Sequence, residues 1–334
     1  MTIEELQKFK KILIIRLSSL GDILLTTPFI RSIKNQFPEI EIDFVLRAQY
    51  SDVLKLNPYL NKVFSISRIE KDNYEKLKEI KNSKYDLVID LQNNLRSKKL
   101  VSTIKTQSVS FSKNSWNKFL LVNFKINNLK NAPQIPVRYS QTISGFKLDE
   151  KGLDLFTDKA ASVKLVQKEN LIGFCPGTRH FTKRWPKEYF IELGKKLTSN
   201  GYTIVLFGGK IDIEICAAVA NEIPGAINLS NIDDILQTTT DMKLCKAIVC
   251  NDSGLMHTAS AVGTRVVAIF GSSVNEFGFT PYNCTNLILE NNLLNCRPCS
   301  HIGRRSCPKK HFDCMQLIKP QLVFEKVIAF ITDK

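Results

Sequence analysis

Twice along this chain a short, continuous, β-branched run enters a polar loop and then a segment of helical periodicity. That order specifies a parallel sheet with crossover helices. The first instance is 11–17, which reads as a buried strand. The tight loop Ser18-Ser19-Leu20-Gly21-Asp22 follows, then a helix expected over 23–37 and ended by Pro38. Further strands are expected at 40–46, 63–66, 85–91 and 109–111, with a helix at 74–80. The alternation restarts at 171–175. It continues as helix 186–198, strand 203–207, helix 211–221, strand 247–250, helix 254–262 and strand 265–270. At 334 residues there is room for two such units. The fold class is therefore α/β, with two doubly wound, Rossmann-like domains. They are expected at 1–165 and 166–334, with the C-terminal helix packing back on the first. Ligands of such sheets sit beyond the carboxyl ends of the strands, so the domains are expected to face each other across a cleft.

Charge narrows the partners. Lys and Arg number 47 against 32 Asp and Glu, a net charge of +15. From Leu91 to Leu148 there is no acidic residue, while Arg96, Lys98, Lys99, Lys105, Lys113, Lys118, Lys125, Lys130, Arg138 and Lys147 are all basic. Such a segment is either a solvated face or a surface for phosphates, anionic lipid or nucleic acid. No apolar run approaches the ~18–20 residues of a membrane span. The acidic Met1-Thr2-Ile3-Glu4-Glu5 start and Arg16 within the first apolar run do not read as a signal peptide, so the protein is expected in the cytoplasm.

Three loops carry candidate chemistry. In the first, Gly21 permits a tight turn, and Asp22 is either a helix cap or a carboxylate placed to act as general base on a hydroxyl. No G-x-G-x-x-G fingerprint accompanies it. The second runs from Cys175 to Pro186, where Gly177 and Thr178 offer hydrogen-bond donors and Arg179, Lys183 and Arg184 offer cations. It suits a phosphate or diphosphate, though it is not a Walker A loop. The third is Asn251-Asp252-Ser253-Gly254-Leu255-Met256-His257, a strand end turning into a helix whose free N–H groups favour an anion. Asp212 or Glu214, after Gly208-Gly209, is either an acid at a helix N-terminus or a partner for ribose hydroxyls.

Nine cysteines in a cytoplasmic chain are expected to be thiols or metal ligands. Cys296-x2-Cys299-x7-Cys307-x6-Cys314 has the number for structural zinc but not a standard knuckle spacing, with His301 and His311 as substitutes. Reduced thiols in a structural segment are the favoured reading. No metal or cofactor is assigned to the site.

The combination resembles the ADP-heptose:lipopolysaccharide heptosyltransferases. The carriers are KILIIRLSSLGDILLTTPFIRSIKNQFP, PGTRHFTKRWPKEYF, NDSGLMHTASAVGTRVVAIFG and the cysteine-bearing CRPCSHIGRRSCPKKHFDCMQLI. The resemblance covers about 10–60 and 168–334. It implies a GT-B glycosyltransferase with an N-terminal acceptor domain and a C-terminal nucleotide-sugar domain. It further implies inverting, metal-independent transfer from ADP-L-glycero-D-manno-heptose to the lipopolysaccharide inner core, at the cytoplasmic face of the inner membrane. On its motifs Asp22 is the base, with Ser18, Ser19 and Gly21 beside it. Thr178, Lys183, Arg184, Asp252, Ser253, Gly254, His257 and either Asp212 or Glu214 hold the donor. The acid-free segment would then meet a phosphorylated, Kdo-bearing glycolipid in an anionic leaflet. Competing readings are a related transferase with another sugar or surface-glycan acceptor, and a non-catalytic nucleotide-sugar or nucleic-acid binder. Sparse aromatics and the lack of a nucleic-acid module argue against the last.

Overall fold

The structure is a computed structural model that describes residues 1–333, with Glu70 and Lys71 described by their backbone alone. Its residues group into two compact units. One is Met1–Asn114 with Pro133–Phe156, the other Ser115–Ala132 with Thr157–Lys334.

The first unit holds β1 (Lys11–Ile15), β2 (Glu41–Arg47), β3 (Lys62–Ile66), β4 (Leu87–Asp90) and β5 (Gln107–Ser110). All pair in parallel, in the order β3-β2-β1-β4-β5. Ile12 to Ile15 are wholly buried because helices cover both faces, which is why the strand reads as a continuous apolar run. The single helix expected over 23–37 is two, Leu20–Leu24 and Thr27–Gln36. Pro28 is the cause: it cannot continue a helix, yet it fits the first turn of a new one. Arg31, on the second of these helices, is buried and forks onto Asp149 (2.7 and 2.9 Å) and the carbonyl of Gly152 (2.9 Å), with Asp154 also in its grip. That clamp fastens the last stretch of the unit to the helix.

The second unit holds β6 (Leu171–Cys175), β7 (Thr203–Leu206), β8 (Ile227–Asn228), β9 (Ala247–Asn251), β10 (Arg265–Phe270) and β11 (Asn286–Glu290). They form one parallel sheet in the order β11-β10-β9-β6-β7-β8. Residues 115–132, grouped by sequence with the first domain, pack here: Leu121 and Leu129 meet Phe277. Lys125 Nζ donates to the carbonyls of Pro298 (2.7 Å) and Cys296 (3.3 Å). The acid-free stretch is thus divided, seven of its cations on the first unit and three on the second. The C-terminal helix Pro320–Thr332 buries Val323 and Val327 in the second unit's core.

In each sheet the strand order reverses once, between β1 and β4 and between β6 and β9. The candidate loops leave the carboxyl ends of these strands, which is where open α/β sheets bind ligands. Among the described residues no helix is long and apolar enough to cross a membrane.

Candidate active site

At the β1/β4 reversal, side chains from the two loops lock each other. Gln92 Oε1 accepts from the backbone N–H groups of Leu17 (2.9 Å) and Ser18 (3.1 Å). Arg16, buried, donates through Nη1 to the carbonyl of Leu91 at 2.5 Å. Its Nη2 meets Asp22 Oδ1 at 2.5 Å. The other carboxylate oxygen of Asp22 accepts from the N–H and hydroxyl of Ser19, at 3.0 and 2.6 Å. Asp22 is therefore a capping-box residue at the start of Leu20–Leu24 and an ion-pair partner together, with its side chain 18% exposed. Burial works against the Arg16 charge, but Asp22, Tyr139 and Asp90 outweigh it and raise the Arg16 pKa. Lys113 completes the group; partial burial, Arg16 and Lys98 lower its pKa against the pull of Asp90 and Asp22.

The β6/β9 reversal repeats the device with asparagine. Asn251 Oδ1 accepts from the N–H of Trp185 (2.9 Å), and its Nδ2 donates to the carbonyl of Pro176 (2.8 Å). This brings the loop after β6 against the loop after β9. Lys183 Nζ then lies 2.6 Å from Asp252 Oδ2, which also accepts from the Ser273 hydroxyl at 2.5 Å. Burial alone would push the Asp252 carboxyl up; Lys183, Ser273 and His257 overcome it and hold the pKa below the ordinary value. The helix Gly254–Ala261 starts beside this pair, with Ser253 at the N-cap position but making no side-chain cap bond. The buried Ser253 Oγ has no hydrogen-bond partner among the described residues. The start of this helix, with its free N–H groups, thus lies next to the residue that holds Lys183, and a helix start favours an anion. Arg184 turns its Nε onto the carbonyl of Thr178 (2.7 Å), fixing the shape of the same loop.

The sequence profile of glycosyltransferase family 9 (heptosyltransferase) matches residues 74–310. The chain belongs to this family. Relatives cover nearly all of it. Lipooligosaccharide heptosyltransferase 2 of Campylobacter jejuni serotype O:2 is 27% identical over 321 residues, 92% of this chain and 94% of its own. A family 9 glycosyl transferase from Veillonella parvula superimposes with a TM-score of 0.79 at 22% identity, covering 97% of this chain and 98% of the other. The ADP-heptose lps heptosyltransferase II of E. coli gives 0.72 at 23%, with 96% and 98% covered. The two Rossmann-like units are those of a GT-B enzyme.

For this family 9 glycosyltransferase the structure separates the two acids left open by sequence. Asp212 is buried, accepts from the N–H of Gly209 at 3.3 Å, and has its pKa raised by burial. Glu214 is exposed in the first turn of the helix Ile213–Ala220. Asp212 also presses on Gly177, where a Cβ would come within 2.0 Å of its Oδ1. Gly177→Ala is therefore expected to displace the loop and destabilise the protein by about 1–3 kcal/mol. A melting temperature within a degree of wild type would contradict this packing.

Sequence reading gave no role of their own to Arg16, Asp90, Gln92, Lys113, Asn251 and Ser273. Arg16 carried a signal, a cation inside an otherwise apolar strand run; Asn251 had none beyond its place at a strand end.

The cysteine segment packs directly on the loop that bears Lys183. Thr182 and Arg304 exchange bonds, Thr182 N to the Arg304 carbonyl (3.2 Å) and Arg304 N to Thr182 Oγ1 (2.8 Å). Phe181 stacks on Phe312 at 4.7 Å. Buried Arg297 anchors the segment by donating to the carbonyls of Gly271 (2.6 Å) and Ser273 (2.9 Å) and pairing with Glu290 (2.6 Å). Cys296, Cys299, Cys307, Cys314 and His311 line one small cavity, with Cys296 Sγ 3.9 Å from His311 Nε2. Among the described residues no three ligand-type side chains converge on a metal position. Burial raises the pKa of Cys299, and pushes that of Cys314 to about 12, so both are thiols at neutral pH. Cys314→Ser is expected to cost about 1–3 kcal/mol, as a buried hydroxyl in an apolar setting, with the turnover of the surviving folded enzyme unchanged. A stably folded but inactive variant would overturn this structural assignment. Metal analysis of chelator-free protein is the companion measurement.

Proposed function

We propose that this glycosyltransferase moves heptose from ADP-L-glycero-D-manno-heptose to the lipopolysaccharide inner core with inversion at the anomeric carbon. The observation that carries the donor half is the Lys183–Asp252 pair at the start of the helix Gly254–Ala261, at the sheet's reversal point. The leaving group is ADP, so negative charge grows on a diphosphate as the sugar departs. Lys183, Thr178, the Ser253 hydroxyl and the helix N–H groups meet that charge, and such preorganised donors gain most when charge develops. Asp212, buried beside Gly177 and Gly209, takes the role of ribose ligand in preference to the exposed Glu214. Asp22 takes the proton from the acceptor hydroxyl as its oxygen attacks the anomeric carbon and the bond to the diphosphate breaks.

The first unit's share of the acid-free segment supports an anionic, lipid-borne acceptor and work at the cytoplasmic face of the inner membrane. Arg96, Lys98 and Lys99 lie on the helix Leu95–Ile104 with exposed side chains. Each cation near an anionic leaflet contributes ~1 kcal/mol, screened by salt. The test is mass spectrometry of core lipopolysaccharide from a strain lacking the protein, complemented with wild type. The expected result is a core truncated by one heptose and everything beyond it. A core of normal mass, or one lacking a different sugar, would refute the assignment.

A further inference from the structure

The cysteine segment and the diphosphate loop enclose a second feature within the nucleotide unit. Arg179, His180, Gly303, Arg304, Arg305 and Ser306 line an open pocket of about 600 Å³. None of its three guanidinium groups is ion-paired among the described residues, and no carboxylate lines it. The wall is built. Gly303 sits at φ +117°, and a Cβ there would approach His180 Cβ to 2.5 Å, so only glycine lets the segment close on His180. Arg304 is fixed through its backbone to Thr182, and its Nε donates to the carbonyl of Cys299 at 2.9 Å. Burial and then Lys183, Arg179 and Arg184 lower the pKa of His180, the mark of a positive field at this wall.

Uncompensated cations in a concave site raise the local concentration of anions. Guanidinium groups suit the planar geometry of carboxylates and phosphates. At about 600 Å³ the pocket falls in the range of small-molecule sites and is larger than a bare ion needs. The donor's diphosphate already has Lys183 and the helix start at Gly254, so these arginines answer a different charge.

We propose that this pocket is an anion subsite of the second unit for a saccharide that carries phosphate or carboxylate groups. The proposal rests on the transferase reading above, and its test does not require turnover. Wild type and Arg305→Gln, whose side chain is exposed and bonds to nothing described, are saturated with ADP. Each is then titrated calorimetrically with a soluble, lipid-free inner-core saccharide bearing its anionic groups, with the same saccharide dephosphorylated and carboxyl-reduced, and with inorganic phosphate. Arg304→Gln/Arg305→Gln serves as a second variant, with its melting curve recorded.

The expected result is a loss of tenfold or more in affinity for the anionic saccharide in the variants. The neutralised saccharide should bind wild type and variants alike, and ADP affinity should stay within twofold of wild type. Unchanged affinity for the anionic saccharide overturns the proposal. So does a parallel fall in ADP affinity, which would make the pocket part of the donor site. Inorganic phosphate binding wild type as tightly as the saccharide would also overturn it, assigning the pocket to a free anion. If the deletion strain keeps its heptose while the charge-dependent saccharide binding is observed, the heptose assignment alone fails.

Discussion

Lys183→Ala is expected to lower kcat/KM by about 10²–10³-fold, as loss of a charged donor aimed at a developing anion does. ADP affinity should fall with it. Removal of the lysine also strands Asp252, which is almost wholly buried and keeps only Ser273 and the His257 field for support. Breaking a buried pair from one side costs about 3 kcal/mol or more. The two losses can be told apart. In Lys183→Ala/Asp252→Asn the stranded charge is gone, so stability should recover while turnover does not. The pH dependence follows from the same pair. Asp252 has a depressed pKa in the folded protein, so it stabilises the fold above the ordinary carboxylate range, and that stability is lost as pH falls through the folded value. Without Lys183 burial dominates and the carboxyl moves up, so the stability deficit of the single variant should be largest near neutral pH and shrink as pH falls and the stranded carboxyl takes up a proton. Turnover within tenfold of wild type in Lys183→Ala would remove the lysine from the donor site.

Strand and loop positions were legible because both sheets are parallel and covered on two faces. Fully buried strands such as Lys11–Ile15 and Leu171–Cys175 must be continuous apolar runs, and the loops after them must be polar. The candidate residues Asp22, Lys183 and Asp252 stand in those loops, so local pattern sufficed to propose them. What escaped was set by tertiary contact. Gln92 and Arg16 join loops about 75 residues apart, and Asn251 reaches Pro176 over a similar distance. The excursion 115–132 leaves one unit for the other and returns, and no composition shift marks either crossing. The preference proposed for Asp212 over Glu214 rests on burial, which two acids two positions apart at a helix start do not reveal.

Asp22→Asn separates the two roles that sequence left entangled at that position. As a cap, Asp22 needs only an acceptor oxygen for the Ser19 N–H and hydroxyl, and an amide oxygen supplies one. As a base it must take a proton, and an amide does not. The asparagine variant should thus keep its helix start and bind ADP normally, since the groups proposed to hold the donor belong to the other unit. It forfeits the partner of Arg16, whose guanidinium keeps its bond to the Leu91 carbonyl, so a moderate fall in melting temperature is expected. The rate should fall about 10²–10⁴-fold, the usual contribution of a general base. Asp22→Ala adds loss of the cap, costing a further ~1 kcal/mol, with no further loss of rate per folded molecule. Single-turnover transfer with donor-saturated enzyme isolates the chemical step. If Asp22→Asn retains more than about a tenth of the wild-type rate there, Asp22 is a helix cap held by an arginine and the base lies elsewhere. Equal melting curves for the two variants would show that the cap contributes little, leaving the rate as the whole of its purpose.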